Sequence, residues 1–164
     1  MTLKTRDWLL TCGFMLANVP AMALESDKNQ PIEIEADQGS LDKNNQTTIF
    51  TGNVKMRQGS MYINAARVQA NKDGAGNQRM DASGSPATFG QQLEKDGKVT
   101  GQGNQVHYDS QTGIVTLIGN AKVTRGGDMA RGQTIVYNTR TEVYTVKSAA
   151  KGRVHVIIQP QKKK

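Results

Sequence analysis

From Gln30 onward the chain alternates apolar and polar residues with a period of two. Ile32 and Ile34 interleave with Glu33 and Glu35, Val54 and Met56 with Lys55 and Arg57. Near the end Val154, Val156 and Ile158 interleave with His155 and Ile157. A two-residue period places one set of side chains on each face of a pleated strand, so the pattern predicts half-buried strands along almost the whole chain. No stretch carries sustained three-to-four-residue apolar spacing with helix caps. Residues that favour tight turns recur between the strands: Asp42-Lys43-Asn44-Asn45, Gly52-Asn53, Asp73-Gly74, Asp96-Gly97, Gln111-Thr112-Gly113, Gly119-Asn120, Gly126-Gly127-Asp128 and Asn138-Thr139-Arg140. Each predicts a hairpin turn, because glycine and asparagine tolerate positive backbone angles. The polar stretch from Asn71 to Arg79 predicts a longer loop.

The pattern also repeats. At an offset of 67 residues, Phe50-Thr51-Gly52-Asn53-Val54-Lys55 lies on Leu117-Ile118-Gly119-Asn120-Ala121-Lys122, Asp42 on Asp109, Gly59 on Gly126 and Asn71 on Asn138. A shorter echo begins at Ala36, Ala65, Gly103 and Gly132, with spacings of 29, 38 and 29. It ends at Leu41-Asp42, Ala70-Asn71, Tyr108-Asp109 and Tyr137-Asn138. Repeats of this kind describe stacked units sharing one core. With short strands and hairpin turns they predict an all-β antiparallel solenoid or jelly roll with two open edges. Pro31 to Glu35 lies at one edge and Arg153 to Gln159 at the other. Unpaired edges that recognise each other without closing build filaments.

The ends change the picture next. Lys4 and Arg6, the apolar run from Trp8 to Val19 and the small-x-small triplet Ala21-Met22-Ala23 read as a cleaved secretory signal over residues 1–23. The run is shorter than the roughly 20 residues a membrane span needs. Cys12, the single cysteine, lies inside this segment, so the chain from Leu24 has no thiol for a disulfide, a metal or a nucleophile. Losing Lys4, Arg6 and Asp7 takes the net charge from +7 to +6, and the terminal lysines 162–164 in the basic tail, residues 160–164, supply half of that. A secreted destination makes nucleic acid a poor fit for the surplus.

Catalytic chemistry is weakly represented. His107 and His155 fall in different strands. Arg125-Gly126-Gly127-Asp128 lacks the lysine-plus-hydroxyl ending of a phosphate loop. Asp37, Asp42 and Asp109 sit where carboxylates accept bonds from their own turn. A glycan hydrolase would need two facing carboxylates, for which Asp37 and Asp109 are the best pair available. The expectation is no enzyme, no cofactor and no metal. Inward-facing Ile, Val, Met, Phe and Tyr form either a filled core or an apolar groove between two sheet faces.

The ordered runs Gln30-Pro31-Ile32-Glu33-Ile34-Glu35-Ala36-Asp37, Ser40-Leu41-Asp42, Phe50-Thr51-Gly52-Asn53-Val54 and Gly84-Ser85-Pro86-Ala87-Thr88-Phe89 resemble a known family. Val106-His107-Tyr108 and Leu117-Ile118-Gly119-Asn120-Ala121 fit it too. The family is that of the periplasmic lipopolysaccharide-transport proteins of Gram-negative bacteria, the small soluble branch of the organic-solvent-tolerance family. The resemblance spans nearly all of residues 24–159. It implies a twisted β-jelly roll of about sixteen antiparallel strands, located in the periplasm. It further implies head-to-tail homo-oligomers whose joined grooves shield the acyl chains of lipopolysaccharide. One edge would meet an inner-membrane-anchored transport component and the other an outer-membrane translocon.

Under that resemblance the expected groove residues are Ile32, Ile34, Phe89 and Tyr108, supported by Val54, Met56, Val68, Val106, Ile135 and Tyr137. Lys55, Arg57, Arg67, Arg79, Lys122, Arg125 and Arg131 are candidates to meet lipid phosphates. The alternative from another class is a structural β-filament or adaptor without lipid cargo.

Overall fold

The computed structural model describes residues 27–93 and 97–160. The signal segment expected at 1–23 and the terminal lysines lie outside these. A short 3-10 turn, Asp27–Asn29, precedes ten strands: β1 (Ile32–Glu35), β2 (Gln38–Asp42), β3 (Thr47–Gln58), β4 (Met61–Lys72), β5 (Gln78–Gln92), β6 (Lys98–Asp109), β7 (Ile114–Arg125), β8 (Asp128–Asn138), β9 (Val143–Lys147) and β10 (His155–Ile157). All pair antiparallel in the order β1-β3-β4-β5-β6-β7-β8-β10, with β2 also on β3 and β9 also on β8.

Each pair of neighbouring long strands shifts register at the same level: between Thr51 and Val54, Asn64 and Arg67, Ser83 and Ala87, Gln102 and Gln105, and Ile118 and Ala121. Bulges that line up across a sheet bend it along one line. Here they divide it into two arms. The first arm holds β1, the β3 residues from Val54, and their partners across to β10. The second holds β2, the β3 residues up to Thr51, and their partners across to β9.

Gly52-Asn53 and Gly119-Asn120, expected as hairpin turns, are therefore bends inside twelve-residue strands. The backbone permission was read correctly, with φ of 82° and 46° at the first pair and 76° and 50° at the second. Its use is different: the same left-handed residues absorb an extra position opposite a single partner residue. A Cβ at Gly52 would also lie 2.3 Å from the Asp37 carboxylate, and one at Gly119 2.8 Å from the Asn104 amide. Asp37 and Asn104 are themselves related by the 67-residue offset, so the duplication extends to contacts.

Strand number differs from expectation for the same reason. Among the described residues the strands are ten and continuous where about sixteen were expected, because β3 to β8 run unbroken through the bend and each serves both arms. The expected loop from Asn71 to Arg79 shrinks to residues 73–77, because β4 continues to Lys72 and β5 starts at Gln78. The four copies of the short echo mark the crossing into the second arm, and each ends at a hairpin tip. Asp42 Oδ1 accepts the amides of Asn44 and Asn45, and Asp109 Oδ1 those of Gln111 and Thr112. These bonds hold both carboxyls below the usual range; at Asp42 the side-chain amide of Asn45 has the largest effect, and at Asp109 the amide of Thr112 does.

Between the arms lies one apolar core, with Val54, Met56, Ile63, Phe89, Val99 and Val123 from the first arm and Val68, Met80, Val106, Leu117, Ile135 and Tyr137 from the second. Phe89 and Tyr137 meet across it, ring centroids 5.6 Å apart and planes tilted by 50°.

Candidate binding site between the two arms

Eight of the ten expected groove residues, Val54, Met56, Val68, Phe89, Val106, Tyr108, Ile135 and Tyr137, are buried between the arms. Their strands alternate inward and outward, and all eight take the inward phase. The two possibilities left open by the sequence resolve at these positions: in the single chain the space is filled by side chains. Ile32 and Ile34 differ. They are half-buried, pack on the rim of the core and line a cavity of about 240 Å³. Thr48, Phe50 and Ala70 face them from the second arm across this cavity. The interior thus reaches the surface at the β1/β2 end.

Far from the bend, the tips of the arms are tied together. The Tyr108 hydroxyl donates to Gln58 Oε1 at 3.1 Å and the Tyr137 hydroxyl to Gln91 Oε1 at 3.2 Å. Gln58 and Gln91 stand on the first arm, the tyrosines on the second. Gln58 Nε2 in turn donates to the Gln30 carbonyl at 3.2 Å. Arg125 Nη2 meets Glu142 Oε2 at 3.0 Å, and its Nη1 donates to the Glu142 carbonyl at 2.8 Å, again from first arm to second. Burial raises the phenol of Tyr108 and pushes that of Tyr137 up to about 12, so both remain neutral donors at ordinary pH. Sequence reasoning missed the two glutamines. The signal was present: Gln58 follows Val54 and Met56, and Gln91 follows Ala87 and Phe89, each in the inward phase.

The cations do not gather. Lys55, Arg57, Arg67, Arg79 and Arg131 are exposed, and Lys122 is half-buried. Arg79 is engaged with Asp109 at 3.2 Å. Arg125, one of the candidates to meet lipid phosphates, bridges the arms instead of facing outward. Nor do the histidines meet: His107 pairs with Asp81 on the second arm, and His155 is exposed on β10. Asp37 accepts from Asn53 Nδ2 at the bend while Asp109 caps a hairpin tip, so the two do not face each other across a cleft. Among the described residues no three metal-ligating side chains come together.

The two edges carry the rest of the site. On the first, Leu41 of β2 is 62% exposed and Glu33 and Glu35 point outward from β1. On the last, Val143 of β9 is 62% exposed, and Val156, Ile157 and Ile158 in and after β10 are 48%, 40% and 75% exposed. Exposed apolar residues on strands with one open edge invite further strand pairing.

This geometry defines an open-edged, bent antiparallel sheet with an apolar interior. Residues 33–143 match the family model for LptA/(LptD N-terminal domain) LPS transport proteins, and the chain belongs to that family. It is 34% identical over 154 residues to the lipopolysaccharide export system protein LptA of Escherichia coli K12, covering 93% of this chain and 83% of that one. Against LptA of Haemophilus influenzae the identity is 35% over 164 residues, covering 98% and 95%. The crystal structure of LptH from Pseudomonas aeruginosa, the LptA-homologous periplasmic component of a lipopolysaccharide transport device, superposes with a TM-score of 0.77. That match has 29% identity and covers 82% of this chain and 99% of LptH.

Proposed function

We propose that this protein is a non-enzymatic periplasmic carrier that passes lipopolysaccharide between membranes, its acyl chains sheltered between the two arms. The observation that carries this reading is the apolar interior opening at Ile32 and Ile34, in a chain whose relatives are lipopolysaccharide export proteins. Burial of one methylene is worth about 0.8 kcal/mol, so an acyl chain of about a dozen carbons costs about 9 kcal/mol to expose. Such a lipid needs continuous cover along its route. Aliphatic side chains provide it without holding any position strongly, and direction must come from a partner at one end.

Continuity requires copies to join, and the internal duplication supplies a template. β10 already obeys the offset: Arg131, Ala130 and Met129 face His155, Val156 and Ile157 as Asn64, Ile63 and Tyr62 face Thr88, Phe89 and Gly90. β1 obeys it too, since Ile34 faces Met56 as Gly101 faces Val123. The junction between the two halves is β5 on β6, where Thr88 faces Gln102 and Phe89 faces Gly101. Carried 67 residues along, that junction sets His155 opposite Glu35 and Val156 opposite Ile34 of the next copy. Inward-facing valine then meets inward-facing isoleucine, and the apolar lining continues from copy to copy. The last edge would meet the outer-membrane translocon and the first an inner-membrane-anchored component, or the reverse.

The test is binding of purified protein to lipopolysaccharide with light scattering on the same sample. Saturable binding, lost in Ile32→Asp with Ile34→Asp, is expected. Assembly without any lipid binding would leave a structural filament and overturn the carrier reading.

A further inference from the structure

The cargo route proposed above is filled in the single chain, so entry of an acyl chain requires the arms to part, and among the described residues three side-chain ties oppose parting. We infer that Gln58–Tyr108, Gln91–Tyr137 and Arg125–Glu142 form a row of clasps that sets how readily lipid enters the interior. This inference rests on the carrier reading.

The placement is specific. The bend runs through the middle of every long strand, and both ends of these strands lie far from it. Gln58 and Arg125 are the last residues of β3 and β7 at the first-arm tip, and Gln91 is next to last in β5. Tyr108 and Tyr137 are next to last in β6 and β8 at the second-arm tip, and Glu142 lies in the turn beyond β8. The row therefore closes the side opposite the bend. Gln58 and Arg125 are also equivalent under the 67-residue offset, so each half of the duplication places an arm-to-arm tie at the same position with different chemistry.

Apolar contacts between the arms can be exchanged for contacts with an acyl chain at little net cost, because both are hydrocarbon. The clasps cannot. An acyl chain offers no donor or acceptor, so parting the arms leaves a buried amide and phenol to find water or stay unsatisfied. The two amide–phenol bonds are neutral and of ordinary net strength, and the Arg125–Glu142 pair is partly exposed to solvent, so the barrier is present but small. This suits a site that must admit lipid and also release it. Gly52-Asn53 and Gly119-Asn120 at the bend, already in left-handed conformations, supply the hinge.

The experiment compares wild type, Tyr108→Phe, Tyr137→Phe and the double variant. A fifth protein, Gln91→Leu with Tyr137→Phe, removes both partners of one clasp so that no buried amide is orphaned. Two readouts are taken. The first is the distance between spin labels at Gln92 and Gln111, exposed positions on opposite tips, in a Cys12→Ser background without lipid. The second is the rate of uptake of purified lipopolysaccharide. Each lost clasp is expected to speed uptake about fivefold, the factor corresponding to one hydrogen bond of ordinary net strength. A broader, longer label distance should accompany it in the double variant. Unchanged distance and unchanged uptake overturn the inference, as does a widened distance without faster uptake. If no variant, wild type included, takes up lipid, the carrier reading fails, and the same failure overturns the clasp as a gate for cargo. The label distance then reports separately whether the ties hold the arms closed.

Discussion

The two ends of the sheet are built from opposite materials. At the β1/β2 end the interior opens into a cavity lined by Ile32, Ile34, Thr48, Phe50 and Ala70, and the outward positions of β1 are the acids Glu33 and Glu35. At the β9/β10 end Val156 and Ile158 stand exposed, and the outward positions carry His155 and its neighbour Arg131. One end offers a recess and acids, the other projecting aliphatics and a base. Identical ends would favour a closed two-fold pair, whereas complementary ends favour a polar, extendable series. Unlike edges of this kind would give any series of joined copies a direction, set by the edge strands of each copy.

The comparison is broken most severely by giving the last end the charge of the first. Val156→Asp with Ile158→Asp would set new carboxylates beside Ile32, Ile34 and the two native glutamates. Light scattering should show self-association weakened about 100-fold or more, in line with the cost of burying an unpaired charge. Lipid binding by the single chain should survive.

Ile32→Asp with Ile34→Asp attacks the other end and separates the two roles. Both association and lipopolysaccharide binding should fall, the latter by at least about tenfold, since the mouth of the interior becomes charged. Retained lipid binding would move the entrance elsewhere.

Cysteine pairs sharpen the register. Glu35→Cys with His155→Cys should form a disulfide between copies in oxidising buffer, and Glu33→Cys with His155→Cys should not. A reversed preference would show that the junction departs from the β5–β6 template.

The smallest effects are electrostatic. Glu35→Lys should weaken association about threefold at low salt, as expected for an exposed pair, with partial recovery in Glu35→Lys with His155→Glu. Acid should loosen the hairpin tips. Asp42, Asp73 and Asp109 have carboxyls held below the usual value in the folded chain. Their contribution is present above the unfolded carboxylate pKa and is lost as pH falls through the lower folded one. Thermal unfolding followed from pH 6 to pH 3 should show falling stability, with the slope reduced in Asp109→Asn.

Much of this was legible in the sequence. The period of two gave the strands but not which of their faces turns inward, and the 67-residue offset foretold that Asp42 would be equivalent to Asp109 and Gly52 to Gly119. What the pattern could not convey was the use of Gly-Asn. Its φ preference is the same in a turn and in a bulge, and only the neighbouring strands decide between them. The mouth was half visible, through Ile32 and Ile34, but Thr48, Phe50 and Ala70 join them only when the second arm folds over. The clasp glutamines were hidden because a polar residue in an inward phase reads as an interruption until its partner on the other arm is placed. β9 shows a further limit. It pairs with β8 three residues out of step with the repeat, Lys147 and not Ala150 facing Thr134, and residues 148–154 take up the difference before β10 regains the offset.

Lipid travelling inside the bend and lipid travelling over its outer face predict opposite labelling of two adjacent residues. Phe89 and Thr88 are neighbours on β5, the first buried between the arms and the second on the outer face. A photoreactive side chain placed at each in turn, followed by illumination of cells exporting lipopolysaccharide, compares the two faces at one point along the route. With the route between the arms proposed above, lipopolysaccharide adducts are expected at 89 and few or none at 88. Adducts at 88 with none at 89 would contradict it.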